Sequence, residues 1–109
     1  MAERKYYKAI NFDLDTKILD EIHPSGSYNK AYYDLKRFFA KKDFEHRQGS
    51  GYVSSQKLTR VDIYRVIEDM SPSLPWMSDA VKKFDVTNIG TQYDLADDIR
   101  NTKKDSFSI

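Results

Sequence analysis

Residues 7–14 read Tyr7-Lys8-Ala9-Ile10-Asn11-Phe12-Asp13-Leu14. With Tyr6 just before them, the large apolar side chains fall an even number of residues apart. Tyr6, Ile10, Phe12 and Leu14 share one face, interrupted by Lys8, while Ala9, Asn11, Asp13 and Asp15 share the other. A period of two is that of an extended strand with one face against a core. Working outward, a linker with Pro24, Gly26 and two serines leads to Tyr28, Ala31, Tyr32, Leu35, Phe38 and Phe39, which recur at helical spacing behind Ser27 as N-cap. Lys30, Asp34, Lys36, Arg37 and Lys41 lie on that helix's opposite, solvated face. Phe44 to Gln48 and Gly51 to Ser55 then read as two short strands around Gly49-Ser50-Gly51, a composition suited to a tight hairpin turn. Thr59 followed by Asp62 forms a capping box, and Ile63, Val66, Ile67 and Met70 give a second helix from about Arg60 to Met70. Pro72 and Pro75 punctuate it, Trp76, Met77, Ala80, Val81 and Phe84 allow one or two further helical turns, and Phe84 to Ile89 reads as a last core strand.

Strand, helix, strand, strand, helix, strand is the split βαβ order of the ferredoxin-like α+β fold (βαββαβ), in which two helices cover one face of an antiparallel four-stranded sheet. The other face stays open. Tyr7, Ala9 and Asn11 are poor residues to leave exposed together, so a second copy of the chain is expected to cover that face in a homodimer. Residues 1–5 then form an N-terminal extension, residues 6–90 the domain, and residues 91–109 a tail that is either a mobile terminus or a segment that packs on the partner chain. Within the tail, Tyr93, Leu95, Ala96 and Ile99 suit a short helix or strand, and Thr102 to Ser108 reads as frayed.

At 109 residues the chain holds one modest core. Its 18 Lys and Arg against 17 Asp and Glu leave a net charge of +1, which excludes a uniformly basic clamp. The charge is uneven, however. Tyr28 to Arg47 carries six basic residues against three acidic, and Phe84 to Ile109 three against five, so the first helix and second strand are the part suited to a phosphate backbone. The absence of cysteine removes disulfides, thiolate metal sites and cysteine nucleophiles. An aromatic share of 14% takes the chain out of the disordered class despite a mean hydropathy of -0.74. Neither a signal peptide nor a membrane span is visible, and a soluble, cytoplasmic protein is expected.

Asp13 is the sharpest candidate for chemistry. It ends the first strand on the face away from Ile10 and Leu14, where a carboxylate can meet its mate across a two-fold axis, hold a divalent cation such as Mg²⁺, or take a proton. Asp15 is a loop carboxylate or a second ligand. His23 and His46, the only imidazoles, show no metal-ligand spacing with another residue and read as turn or surface groups, His46 beside Arg47 being the one suited to acid or base work. The run Arg47-Gln48-Gly49-Ser50-Gly51-Tyr52 offers a fixed cation, an amide, free backbone N–H groups, a hydroxyl and an aromatic ring, a set that can hold a phosphate and stack a base. Lys36 and Arg37 on the first helix would extend that basic surface.

Three blocks, Tyr7-Lys8-Ala9-Ile10-Asn11-Phe12-Asp13-Leu14, Tyr28-Asn29-Lys30-Ala31-Tyr32-Tyr33-Asp34-Leu35 and Phe44-Glu45-His46-Arg47-Gln48-Gly49-Ser50-Gly51-Tyr52-Val53, together resemble the virulence-associated protein D (VapD) family. The resemblance spans about Tyr6 to Ile89. It implies a ferredoxin-like homodimer similar to the small nuclease-fold subunit of CRISPR adaptation, acting as an endoribonuclease toxin and often paired with an antitoxin protein. Carried over by position, it implies catalytic roles for Asp13, Ser50 and Leu19. A further family acid falls at Lys83, with Asp85 two positions later as its nearest counterpart. A non-catalytic nucleic-acid-binding or scaffolding dimer is the alternative expectation.

Overall fold

The computed structural model describes residues 4–90 and 95–105. Along the chain run β1 (Tyr7–Leu14), α1 (Thr16–Ile22), α2 (Tyr28–Lys41), β2 (Phe44–His46), β3 (Gly51–Ser54), α3 (Arg60–Ser73), α4 (Met77–Ala80), β4 (Val81–Ile89) and α5 (Ala96–Asp105). The strands form one sheet in the order β2-β3-β1-β4, every pair antiparallel. That is the ferredoxin-like arrangement the element order implied.

The period of two in β1 is realised with one change. Lys8 joins Ile10, Phe12 and Leu14 on the buried face. It is only 4% exposed; its backbone N–H donates to Ser54 Oγ (2.9 Å) and its ammonium group to Asn88 Oδ1. Buried ammonium needs such a partner, because its desolvation is otherwise uncompensated. Ala9, Asn11 and Asp13 face the other way, registered against Val53 and Gly51 of β3 and against Thr87, Asp85 and Lys83 of β4.

The core sits on the helix side of the sheet. Leu19 from α1, Ala31, Leu35, Phe38 and Phe39 from α2, Ile63, Val66 and Met70 from α3, and Met77 and Ala80 from α4 all pack into the cluster built on Ile10, Phe12 and Leu14. Phe12 is its hub, with stacked neighbours Tyr32, Phe39, Tyr52 and Phe84 at centroid distances of 6.0–6.5 Å. Phe39 is fully buried and also meets Phe38, Phe44 and Tyr52.

Helix α1 replaces part of the expected linker. Asp15 caps it, its carboxylate accepting from the Lys17 and Ile18 backbone N–H groups at 3.0 and 3.1 Å. Seven residues give too little periodicity to stand out, though the cap and the Ile18, Leu19, Ile22 spacing were present. Ser27 occupies the N-cap position of α2 without a side-chain cap bond; the Asp20 carboxylate accepts from the Tyr28 N–H at 2.8 Å instead. The Thr59–Asp62 capping box is formed as the sequence indicated, and the Thr59 backbone N–H holds the Asp62 carboxyl below its ordinary range. Helix α3 continues past Met70 to Ser73 because Pro72 falls in its last turn, where the Leu74 N–H still reaches Met70 O at 2.7 Å. Strand β4 starts at Val81, earlier than expected, and is an edge strand whose side chains are mostly exposed rather than a core strand. Thr102 to Asp105, read as frayed, continue α5; Tyr93 lies outside the described residues.

Tyr52 belongs to this aromatic layer. It is 3% exposed, and burial pushes its phenol up to about 12. Charging a buried phenol is unfavourable, so the unfolded chain loses this proton first and the associated stability falls as pH rises from about 10 towards 12. Tyrosine absorbance at 295 nm during an alkaline titration will show one late-ionising group that Tyr52→Phe removes. Phe39→Ala is expected to cost about 3–5 kcal/mol in urea unfolding. Asp15→Ala will cost about 1 kcal/mol in the same assay.

Candidate functional site

The β2–β3 connection is closed by two backbone bonds, Arg47 N–H to Gly51 O and Gly51 N–H to Gln48 O, both 2.8 Å. Gly49 takes φ +52°, the left-handed region that glycine adopts without a Cβ clash, at the first central position of the turn. Gly51 allows a close approach instead. A Cβ there would lie 3.1 Å from Gln48 O and 3.2 Å from Asn11 Oδ1. The turn is thus packed against β1, and its side chains are held above both faces of the sheet.

Two clefts flank it. One, of about 670 Å³, is lined by Asn11, His46, Arg47, Gln48 and Gly51. The other, of about 510 Å³, lies between α2 and the turn and is lined by residues that include Tyr32, Tyr33, Lys36, His46, Ser50 and Tyr52. His46 lines both. Its Nε2 lies 2.7 Å from Gly49 O. A carbonyl oxygen only accepts, so Nε2 carries the hydrogen and neutral His46 keeps Nδ1 as an acceptor.

The residues singled out in the sequence therefore divide. Asp13 and Asp85 lie on the open face, Asp85 registered with Asn11 and Asp13 with Lys83. Asp85 makes an exposed 3.8 Å pair with Lys83, and Arg47 an exposed 3.7 Å pair with Glu45; solvent screens both, and neither immobilises its cation. Arg47 and Gln48 belong to the cleft beside Asn11, Ser50 and Lys36 to the one beside α2. Arg37 lies 5.9 Å and Lys30 5.3 Å from the Tyr33 ring centroid, so a cation from the turn before and one from the turn after lie over one exposed aromatic of α2.

Two expectations need correcting. Leu19 is fully buried in the hydrophobic core of the single chain, so it offers no surface there for direct contact. Tyr52 has no free ring face for a base, because Phe39 lies 4.4 Å, His46 4.9 Å and Phe12 6.0 Å from its centroid. Tyr33, half exposed with Lys30 and Arg37 over its ring, is the aromatic of α2 turned to solvent beside the α2 cleft, whereas Tyr32 next to it turns inward onto Phe12.

His23 is neither a surface nor a free turn residue. At 8% exposure it sits edge-on to Trp76, with Nε2 2.8 Å from Asp34 Oδ2 and Nδ1 2.8 Å from Ser25 Oγ. The Ser25 N–H also points at Nδ1 (3.1 Å), so Nε2 donates to Asp34 and the ring pins the α1–α2 loop onto α2. Asp15 is spent on its cap. Among the described residues no three His, Cys, Asp or Glu side chains gather closely enough to hold a metal ion. An apolar groove of about 370 Å³ between α3, α4 and β4, lined by Ile67, Met70, Leu74, Val81 and Phe84 among others, contains no titratable side chain.

No protein-family model matches the chain. It is 30% identical over 87 residues to Endoribonuclease VapD 2 of Riemerella anatipestifer, covering 80% of this chain and 93% of that protein. It is 36% identical over 75 residues to Endoribonuclease VapD of Helicobacter pylori, covering 68% of this chain and 78% of that protein. With likeness of that extent over nearly the whole of a relative, the chain belongs to the VapD family.

Proposed function

We propose that the chain is an endoribonuclease, a hydrolase that cuts RNA phosphodiester bonds. The observation that carries this reading is its identity along 93% of a relative named as an endoribonuclease. The site is compatible with it in kind: carboxylates on the open face, and cations, amides and backbone N–H groups at the adjoining turn, are the groups that move a proton and balance charge on phosphorus. Among the described residues no helix is long and apolar enough to cross a membrane.

In this reading Asp13 acts on the attacking oxygen, a 2′-hydroxyl or a water, either as base or as ligand to a divalent cation such as Mg²⁺. Asp85 is the second acid of that face. Arg47 and Gln48 neutralise and orient the phosphate, with Ser50 bonding the same strand on the far side of the turn. The enzyme works as a homodimer whose sheets meet across the open face, covering Tyr7, Ala9, Val53 and Ile89, which are half-buried in the single chain. The dimer brings the two Asp13 carboxylates towards each other. In the cell it serves as the toxin of a toxin–antitoxin pair, neutralised by a protein antitoxin.

Cleavage of a defined RNA by the purified chain, followed on denaturing gels with Mg²⁺ and with chelator, tests the activity and the cation together. Asp13→Asn preserves shape and removes charge, and will lower the rate by about 10²–10⁴-fold. Wild-type cutting by that variant overturns the role given to Asp13, and RNA retention without cutting by the wild-type chain favours a scaffolding dimer. Light scattering will give twice 12.8 kDa; a mass near 12.8 kDa overturns the paired-carboxylate geometry.

A further inference from the structure

The cleft between α2 and the β2–β3 turn lies on the helix side of the sheet, away from Asp13, and shares only Ser50 with the residues given a part in cleavage above. We infer that it is a ribonucleotide subsite, gripping one nucleotide of a single-stranded RNA and distinguishing RNA from DNA through His46. This rests on the reading of the chain as an RNA-acting protein.

Three features carry it. The first is size and chemistry: about 510 Å³ suits a single nucleotide, and the lining combines aromatic faces with an amide (Asn29), a hydroxyl (Ser50) and an ammonium group (Lys36). The second is Tyr33. Its ring is 52% exposed, and the exposed Lys30 and Arg37 side chains lie over it at 5.3 and 5.9 Å, so a stacking base displaces flexible cations and not core groups. Every base has a π-face, so such a ring stacks a base without regard to sequence while the flanking cations take up adjacent phosphates. The third is the fixed tautomer of His46. Gly49 O holds the Nε2 hydrogen, and among the described residues Nδ1 has no hydrogen-bond partner. An acceptor beside a base-stacking ring suits the ribose 2′-hydroxyl, the donor that DNA lacks.

The subsite shares His46 with the cleft of Asn11, Arg47 and Gln48. A strand held here passes over the turn towards the open face, where Asp13 lies. Nucleotides flanking the cut, and not the cut itself, occupy the α2 cleft.

The test measures binding rather than cleavage. Fluorescence anisotropy with an end-labelled single-stranded RNA and the DNA of the same sequence is run on full-length Asp13→Asn and on further variants in that background, with the RNA checked on a gel after each titration. Tyr33→Ala and Lys36→Ala are each expected to weaken RNA binding about ten-fold, with Tyr33→Phe near the parent. His46→Ala will weaken RNA binding and leave DNA binding unchanged. Because Tyr33 and Lys36 are exposed on α2, thermal melts of their variants will match the parent, and for His46→Ala, which also loses its contacts with Tyr52 and Gly49, the retained DNA binding reports that the fold is intact. RNA affinity within two-fold of the parent in both Tyr33→Ala and Lys36→Ala overturns the subsite. Equal loss on RNA and DNA in His46→Ala overturns the 2′-hydroxyl contact. Binding lost in the cleft variants of a chain whose wild type cuts no RNA supports the subsite and sinks the endoribonuclease reading alone.

Discussion

The stack of Phe12 on Phe39 and Tyr52 is the contact on which the other parts depend. It joins the central strand β1, the long helix α2 and the hairpin strand β3 through three rings within about 6 Å of one another. Aromatic rings bury large areas and lock orientation as well as distance, so this layer sets where α2 sits over the sheet. The cleft beside α2 has walls from two of these three elements, and its width is therefore a property of the core. The same layer explains the cost to Tyr52: its phenol is buried where charge is unwelcome, and its ring is committed to structure.

How much of this was readable in the sequence depended on how local the signal was. Alternation in residues 7–14, the stripe from Tyr28 to Phe39 and the Thr59–Asp62 box are each decided by neighbours a few residues away, and each was realised. Lys8 in the buried stripe was legible as an interruption, but its partners Ser54 and Asn88 lie 46 and 80 residues off and are found only by the fold. Helix α1 was hidden by brevity. It begins directly after β1, with no Gly or Pro between, so the capping carboxylate of Asp15 looked like a loop group. His23 carries no local signal of its role, because Ser25 and Asp34 form no recognisable motif with it; the loop between α1 and α2 must close before the three meet.

The candidate site was legible as a set of residue types and illegible as a geometry. Arg47 to Tyr52 are contiguous in sequence, yet the turn distributes their side chains among different surroundings. Tyr52 goes into the core, Arg47 and Gln48 to one cleft and Ser50 to the other. Only His46 reaches both. The basic surplus of Tyr28 to Arg47 divides in the same way, part along the outer flank of α2 and part at the turn.

That division bears on the net charge of +1. A protein acting on a polyanion usually advertises it by a basic total, because each phosphate contact releases counterions. Here 6 of the 18 Lys and Arg fall within Tyr28 to Arg47 against three acids, a local surplus that the remainder of the chain nearly cancels. Binding built this way leans on stacking and directed hydrogen bonds more than on a diffuse field. Screening by salt acts most strongly on the diffuse part. A small number of well-placed phosphate contacts gives a shallow dependence of RNA affinity on salt, roughly one unit of logarithmic slope per contact. The near-neutral total is therefore consistent with recognition of a short stretch of single strand, held by an aromatic ring and a few fixed groups, and not with a long duplex gripped along its backbone.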